Sequence, residues 1–436
     1  MEQNILSQLK IVAPQWHFHD STDNFFSLVD YYQQQIKEQI KLTKTPIIFL
    51  AERESDRFIA AFFASVINDV CLFLINPNWQ QNEWQQVENI VQPDLIFGQI
   101  NYRFKECDRD LPRCTGIMIP TGGTSGQIKF AIHTWQTLTS SAQGFYRFFG
   151  SLPLNFYDCL PLYHVSGLMP VIRSFLSRGK LIIKPFSFLK NNWNISDNYQ
   201  DYFISFVPTQ LQYFLETNPL YLTKFKIILV GGSATHSQQI SLAKKYHIPL
   251  ALTYGMTETA SGISILKPAE LRETNNSNGQ LLPHAQIIID SKNQAVIKIK
   301  SSSLFQGYYP HRQAIDFFTT DDVGYVDNQG YLYLLGRNSQ KIITGGENVF
   351  PLEIETAILA TGLVKDIYIV GEKDNYWGEI ITAFYVPNNQ EITYQQIEEQ
   401  LRKNLSNYKI PKKWYKLEQI PRNQQGKSKL NIIRDC

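Results

Sequence analysis

From about residue 45 to residue 255, short apolar runs rich in β-formers alternate with stretches whose apolar positions recur every three or four residues. Residues 46–50 read as a strand, and 56–67 as a helix with apolar i, i+3 and i+4 positions. Further strands are predicted at 70–75, 95–97, 117–119, 181–184, 203–207 and 227–230, with helical patterns between most of them. Such alternation predicts an α/β fold, with parallel sheets covered by helices on both faces. After residue 279 the texture changes. Runs at 286–290, 295–300 and 331–335 are separated by Gly, Asn and Asp turns, as in a small antiparallel β-barrel. A third texture begins near residue 340, with helices at 353–359 and 394–405 and strands at 367–370 and 380–386. The expected division is a large N-terminal domain, residues 1–339, and a small α+β C-terminal domain, residues 340–436, of ordinary domain size. No internal repeat or low-complexity segment interrupts this pattern.

Composition narrows the class. The chain has 436 residues, 43% of them hydrophobic, which exceeds one ordinary compact domain and suffices for a large core plus a second module. Lys+Arg 41 against Asp+Glu 39 leaves a formal charge of +2, with no basic stripe of the kind a nucleic-acid partner requires. The five cysteines form no CxxC pair, and an odd number suits a reducing cytosol better than a disulfide framework. The N-terminal residues lack the basic and apolar segments of a signal peptide, and no apolar run approaches the ~20 residues that span a bilayer. A cytoplasmic protein without a transmembrane segment is expected.

Four motifs carry candidate chemistry. Thr121-Gly122-Gly123-Thr124-Ser125-Gly126-Gln127-Ile128-Lys129 follows the predicted strand 117–119. Its glycines free backbone N–H groups to face an anion, and the hydroxyls and Lys129 add donors and charge; a plain Ser/Gly turn is the alternative. Two residues separate Gly126 from Lys129, so this is not a Walker A loop, and the chain has no GxGxxG. Gly426-Lys427-Ser428 imitates the end of a Walker A, but Pro421 stands where the first glycine must be. Tyr254-Gly255-Met256-Thr257-Glu258-Thr259 follows the apolar run 250–252. Glu258 there could hold Mg²⁺ against phosphates while Tyr254 stacks on a purine; equally, Thr257 and Glu258 could cap a helix N-terminus. The remaining two are Asp321-Asp322-Val323-Gly324 with Gly336-Arg337 and Gly345-Gly346-Glu347, and the basic loop Pro421 to Lys427. Each alone could be a turn or a solvated segment.

In this order and spacing the motifs match one family. The chain resembles the adenylate-forming, AMP-binding acyl-CoA synthetase superfamily from about residue 45 to residue 431. The segment 160–168 with Arg173 beyond it, and the segment 206–211, look like those of its o-succinylbenzoate–CoA ligases. The resemblance implies an ATP-dependent ligase that activates a carboxylic acid as an acyl-adenylate and passes it to coenzyme A. On this branch the acid is o-succinylbenzoate, in menaquinone or phylloquinone biosynthesis. A fatty or aryl acid, or a non-catalytic adenylate-binding role, stands as the alternative; retention of Glu258 and Lys427 speaks against mere binding.

By the same resemblance Thr121, Gly122, Gly123, Thr124, Ser125, Gly126 and Lys129 cover the β- and γ-phosphates, and Thr257 contacts phosphate. Glu258 holds Mg²⁺, Gly232, Ser233, Tyr254 and Gly255 form the adenine site, and Asp322 binds the ribose with Arg337 nearby. Lys427 bridges the carboxylate and the α-phosphate. His164, Arg173, Thr209 and Ser261 are expected at the acid, where Arg173 could meet a second carboxylate. Gly345, Gly346 and Glu347 line the coenzyme A tunnel once the C-terminal domain turns about a hinge. Two departures from the family pattern stand out: Ser339-Gln340 at the hinge, which places it at Gln340, and Thr320-Asp321-Asp322 in place of Thr-Gly-Asp.

Overall fold

The computed structural model describes residues 2–19, 24–105, 112–122, 127–193, 198–235, 237–272, 277–290 and 295–421. Two sheets dominate the first three hundred residues. The smaller has the order Leu95–Gly98, Ile47–Ala51, Cys71–Leu74, Gly116–Gly122, Ile128–His133, parallel except for the last strand. The larger has eight strands, in the order Trp16–Phe18, Leu181–Ile183, Asn155–Asp158, Tyr199–Phe206, Phe225–Val230, Leu250–Met256, Ser261–Leu266, Gln280–Leu281. Its first six are parallel and its last two antiparallel.

One core joins the sheets. Ile48, Leu50 and Leu72 of the smaller sheet and Phe156, Leu181 and Phe203 of the larger enclose the helices Ser55–Ile67, Trp135–Phe148 and Val165–Ser177. The first of these has buried side chains on nearly every side, as a helix that is apolar all round must. The strands Trp16–Phe18 and Asn155–Asp158 were not predicted. They have three and four residues, too few to display a period, and the second begins and ends on polar side chains.

The small barrel expected after residue 279 takes the form of an antiparallel meander, in the order Ala285–Asp290, Val296–Ser301, Phe318–Val326, Leu332–Arg337. A fourth sheet follows, with Ile342–Thr344, Glu347–Val349, Val364–Asp374, Gly378–Pro387 and Lys413–Lys416. Ile342, Ile354, Ile358, Ile367, Ile381 and Ile397 belong to a core cluster of their own. Helix Tyr394–Leu401 stops short of the expected residue 405, where Arg402 and the next three residues turn back on its last carbonyls. No helix among the described residues is long and apolar enough to cross a membrane.

Candidate active site

Four neighbouring parallel strands of the large sheet end on the same edge, and each is followed by a segment singled out in the sequence. Asn155–Asp158 leads to His164, Tyr199–Phe206 to Thr209, Phe225–Val230 to Gly232 and Ser233, and Leu250–Met256, which carries Tyr254 and Gly255, to Thr257 and Glu258. Ligands of open α/β sheets bind in the crevice outside such carboxyl ends. The Gly231 turn lies close against the last strand: a Cβ on Gly231 would fall 2.3 Å from Thr253 Oγ1, which donates to Val230 O at 3.1 Å. This sets the start of the Gly231-Gly232-Ser233 turn against Thr253, the residue before Tyr254.

The hairpin Leu250–Met256/Ser261–Leu266 is the hub of the site. Gly255 and Met256 pair with Gly262 and Ser261, and the turn between them is the short 3₁₀ segment Thr257–Thr259. Thr257 does not cap a helix; Met256 occupies the cap position. From this hairpin four side-chain or carbonyl contacts reach four other elements. The Thr257 carbonyl accepts from His133 Nε2 at 2.8 Å, while His133 Nδ1 lies 3.0 Å from Thr137 Oγ1. Complete burial pushes the His133 imidazole down to about 4, so it is neutral, with its proton on Nε2.

Glu258, buried, accepts from the Tyr308 hydroxyl at 2.6 Å. Burial and this carboxylate hold the Tyr308 phenol above its ordinary value, fixing it as the donor. Lys129 Nζ lies 5.3 Å from the centre of the Tyr308 ring, a cation–π distance. Tyr308 therefore joins the glycine-rich segment to Glu258. It was missed in the sequence because it lies fifty residues away from Glu258 in a run with no motif. Lys129 stands opposite Thr121 in a hairpin whose strands also hold Gly122 and Ile128; Gly123, Thr124, Ser125 and Gly126 lie outside the described residues.

Tyr254 makes the third contact. Its hydroxyl donates to Asp322 Oδ2 at 2.7 Å, and Arg337 Nε lies 3.3 Å from Asp322 Oδ1. Burial first, then Asp322, push the Tyr254 phenol well above its ordinary value. Asp321 faces the other way: Ser339 donates to it through its backbone N at 3.0 Å and through its hydroxyl. The two aspartates thus separate into one beside Tyr254 and Arg337 and one at the predicted hinge.

Ser261 makes the fourth. Arg173 Nη2 donates to Ser261 Oγ at 3.2 Å. Arg173 is 4% exposed, its guanidinium lies 4.0 Å from the Phe145 ring centre, and its Nε has no hydrogen-bond partner. Burial lowers its pKa to about 9, which leaves it charged at neutral pH. No carboxylate among the described residues pairs with it. His164 is not brought to Arg173. It precedes helix Val165–Ser177 at the cap position, and nine residues are about two and a half turns, which puts the two on opposite faces. His164 stays at the strand-end crevice, where burial holds its ring at about 4 and Tyr163 lies against it. Thr209 is exposed in the first turn of helix Pro208–Thr217.

Gln340 closes the short 3₁₀ segment Asn338–Gln340 and is exposed. Gly345, Gly346 and Glu347, all exposed, form the turn and first residue of the next hairpin, where the Gly345 N–H donates to Trp377 O at 2.9 Å and a Cβ on Gly345 would fall 3.0 Å from the Trp377 ring. Lys427 lies outside the described residues.

Comparison with known proteins gives the family. The AMP-binding enzyme family matches residues 109–309, and the AMP-binding enzyme C-terminal domain matches residues 353–427. A 2-succinylbenzoate–CoA ligase of Enterococcus faecalis is 34% identical over 335 residues, 73% of this chain and 68% of that protein. One from Listeria innocua is 30% identical over 405 residues, 91% of this chain and 82% of that protein. The o-succinylbenzoate–CoA synthetase of Bacillus subtilis, solved with its acyl-adenylate intermediate, superposes with a TM-score of 0.81 at 22% identity, covering 100% of this chain and 98% of that one. By sequence similarity along most of its length, the chain belongs to the AMP-binding enzyme family, among its AMP-forming acid–thiol ligases.

Proposed function

We propose that this ligase converts 2-succinylbenzoate, ATP and coenzyme A to 2-succinylbenzoyl-CoA, AMP and pyrophosphate. The observation that carries the substrate is Arg173: a buried, charged guanidinium with an idle Nε, bonded to the hairpin that ends in Glu258. A buried charge without a partner is costly, and an acid bearing a second carboxylate would supply the missing counter-ion. The named activity of the two curated relatives supports the same acid.

The residues divide the work. Tyr254 and the Gly232–Ser233 turn form the adenine side, and Asp322 keeps free lone pairs for ribose hydroxyls beside Arg337. Thr121, Gly122 and Lys129 supply donors and charge on the phosphate side, together with Gly123, Thr124, Ser125 and Gly126. Glu258 fits a Mg²⁺ site that keeps its other positions for phosphates and water, because such sites use only one or two carboxylates. Among the described residues no group of three or more possible ligands competes for a metal. When bound, Mg²⁺ would polarise phosphoryl oxygens. A carboxylate oxygen of the acid attacks the α-phosphorus and pyrophosphate leaves, with Lys427 offsetting the repulsion between the two anions. The thiolate of coenzyme A then attacks the acyl carbon and AMP leaves with the oxygen it gained. Rotation about Gln340 would exchange Lys427 for Gly345, Gly346 and Glu347 at the same centre.

The experiment is a panel of acids assayed for coenzyme A-dependent AMP release. 2-Succinylbenzoate is expected to give the highest kcat/KM. A benzoate or long-chain fatty acid used tenfold better, on the order of 1.4 kcal/mol in transition-state binding, would remove the substrate assignment and leave the ligase class standing.

A further inference from the structure

His284 lies in the turn between Gln280–Leu281 and Ala285–Asp290 and has no part in the site described so far. The turn is pinned to the hub hairpin by Leu282 N, which donates to Ile263 O at 2.8 Å, and is closed internally by Ala285 N, which donates to Leu282 O at 3.0 Å. Both ring nitrogens of His284 are buried and neither has a hydrogen-bond partner. Buried polar atoms are almost always paired, so a ring with both nitrogens idle calls for an explanation.

Its position supplies one. Ser141, Gly144 and Phe145 share one face of helix Trp135–Phe148. Ser141 Oγ donates to Ala260 O at 2.7 Å, and Phe145 carries the Arg173 guanidinium at 4.0 Å. Between them Gly144 leaves room for the imidazole: a Cβ there would fall 1.9 Å from His284 Nδ1. The imidazole and the guanidinium thus rest on successive residues of one helix. Burial first, then the charge of Arg173, hold His284 at about 4, so the ring is neutral and offers one N–H. An idle Arg173 Nε, an idle imidazole and a charge without a counter-ion meet in one buried place.

We propose that His284 is a specificity-determining residue that receives, together with Arg173, the carboxylate of the acid that is not activated. This rests on the reading of the chain as a ligase for a dicarboxylic acid. The carboxylate accepts from Arg173 Nε–H and from the imidazole N–H, and Gly144 is the residue that lets the ring stand there.

The test is ATP–pyrophosphate exchange by the full-length wild type, His284→Phe, Gly144→Ala and Arg173→Met. The acids are 2-succinylbenzoate and its two analogues that each lack one carboxylate. His284→Phe keeps a ring and removes its nitrogens; Gly144→Ala displaces the ring with a methyl group. Both are expected to raise KM for the dicarboxylate about tenfold, the loss of one charge-assisted hydrogen bond. KM for the analogue that is still adenylated, and kcat, should move less than twofold. If KM rises equally for both acids, or for neither, in variants that keep the wild-type circular dichroism, the inference is overturned. Should His284→Phe not fold, Gly144→Ala decides by the same criterion. A dicarboxylate preference lost in Arg173→Met and kept in His284→Phe overturns this inference alone. A wild type that does not use 2-succinylbenzoate overturns the proposed function and this inference with it.

Discussion

Asp321 and Asp322 are adjacent in sequence and do different things, because successive side chains of a strand point to opposite faces. Within Phe318–Val326, Asp322 reaches Tyr254 and Arg337 while Asp321 reaches Ser339. The resemblance assigned the ribose to Asp322; what it could not show was an occupation for Asp321. Asp322→Asn is expected to raise KM for ATP about tenfold, the usual cost of weakening a hydrogen bond to a charged group. Asp321→Asn should leave that KM within about twofold, since its partner is Ser339. Exchange kinetics on the two variants check this, and the reverse order would move the ribose to the other face of the strand. From the sequence, Arg173 could be put forward as a candidate cation for a second carboxylate. Its burial, its idle Nε and its separation from His164 were not, because they depend on helix phase and on Phe145 and Ser261, which approach from other elements.

Among elements, the βαβ alternation and the motif-bearing strand ends were legible because each is a local pattern of apolar runs, glycines and turns. The edge contact that brings a residue between Lys129 and Glu258 was not. Residues 305–309 run beside strand Ile128–His133: Gln306 N donates to Ile132 O at 2.7 Å, and Tyr309 N to Phe130 O at 2.9 Å. That pairing joins positions about 175 residues apart and brings Tyr308 over both Lys129 and Glu258. No window along the chain contains it. Tyr308→Phe keeps the ring under Lys129 and removes only the hydroxyl. It should lower the unfolding free energy by about 1–3 kcal/mol, because the buried Glu258 carboxylate loses a donor. As a positioning residue, Tyr308 should also move KM for Mg-ATP while leaving KM for the acid in place. Denaturant melts and initial rates measure both; a variant with wild-type stability and wild-type KM would remove Tyr308 from the site.

Over the whole molecule, the fold gathers the proposed site onto one hairpin. Thr257, Glu258, Tyr254 and Ser261 lie within eight residues and reach, respectively, His133, Tyr308, Asp322 and Arg173. Under the proposed assignment, nucleotide, phosphate and acid would all be referred to this one turn, as a reaction between two anions requires. Several core clusters pack around this turn, and the sheet of Gly345 and its neighbours has a further cluster separate from all of them. A lobe with its own core is what a turn about Gln340 would need, and both Lys427 and Gly345 lie beyond that residue.

The most direct measurement follows an oxygen atom. 2-Succinylbenzoate labelled with heavy oxygen in both carboxylates is incubated with the ligase, ATP, Mg²⁺ and coenzyme A, and the products are weighed by mass spectrometry. Attack of a carboxylate on the α-phosphorus leaves one labelled oxygen on each AMP released, with unlabelled pyrophosphate and a 2-succinylbenzoyl thioester. ADP with labelled orthophosphate, or a thioester accompanied by unlabelled AMP, would contradict activation as an acyl-adenylate.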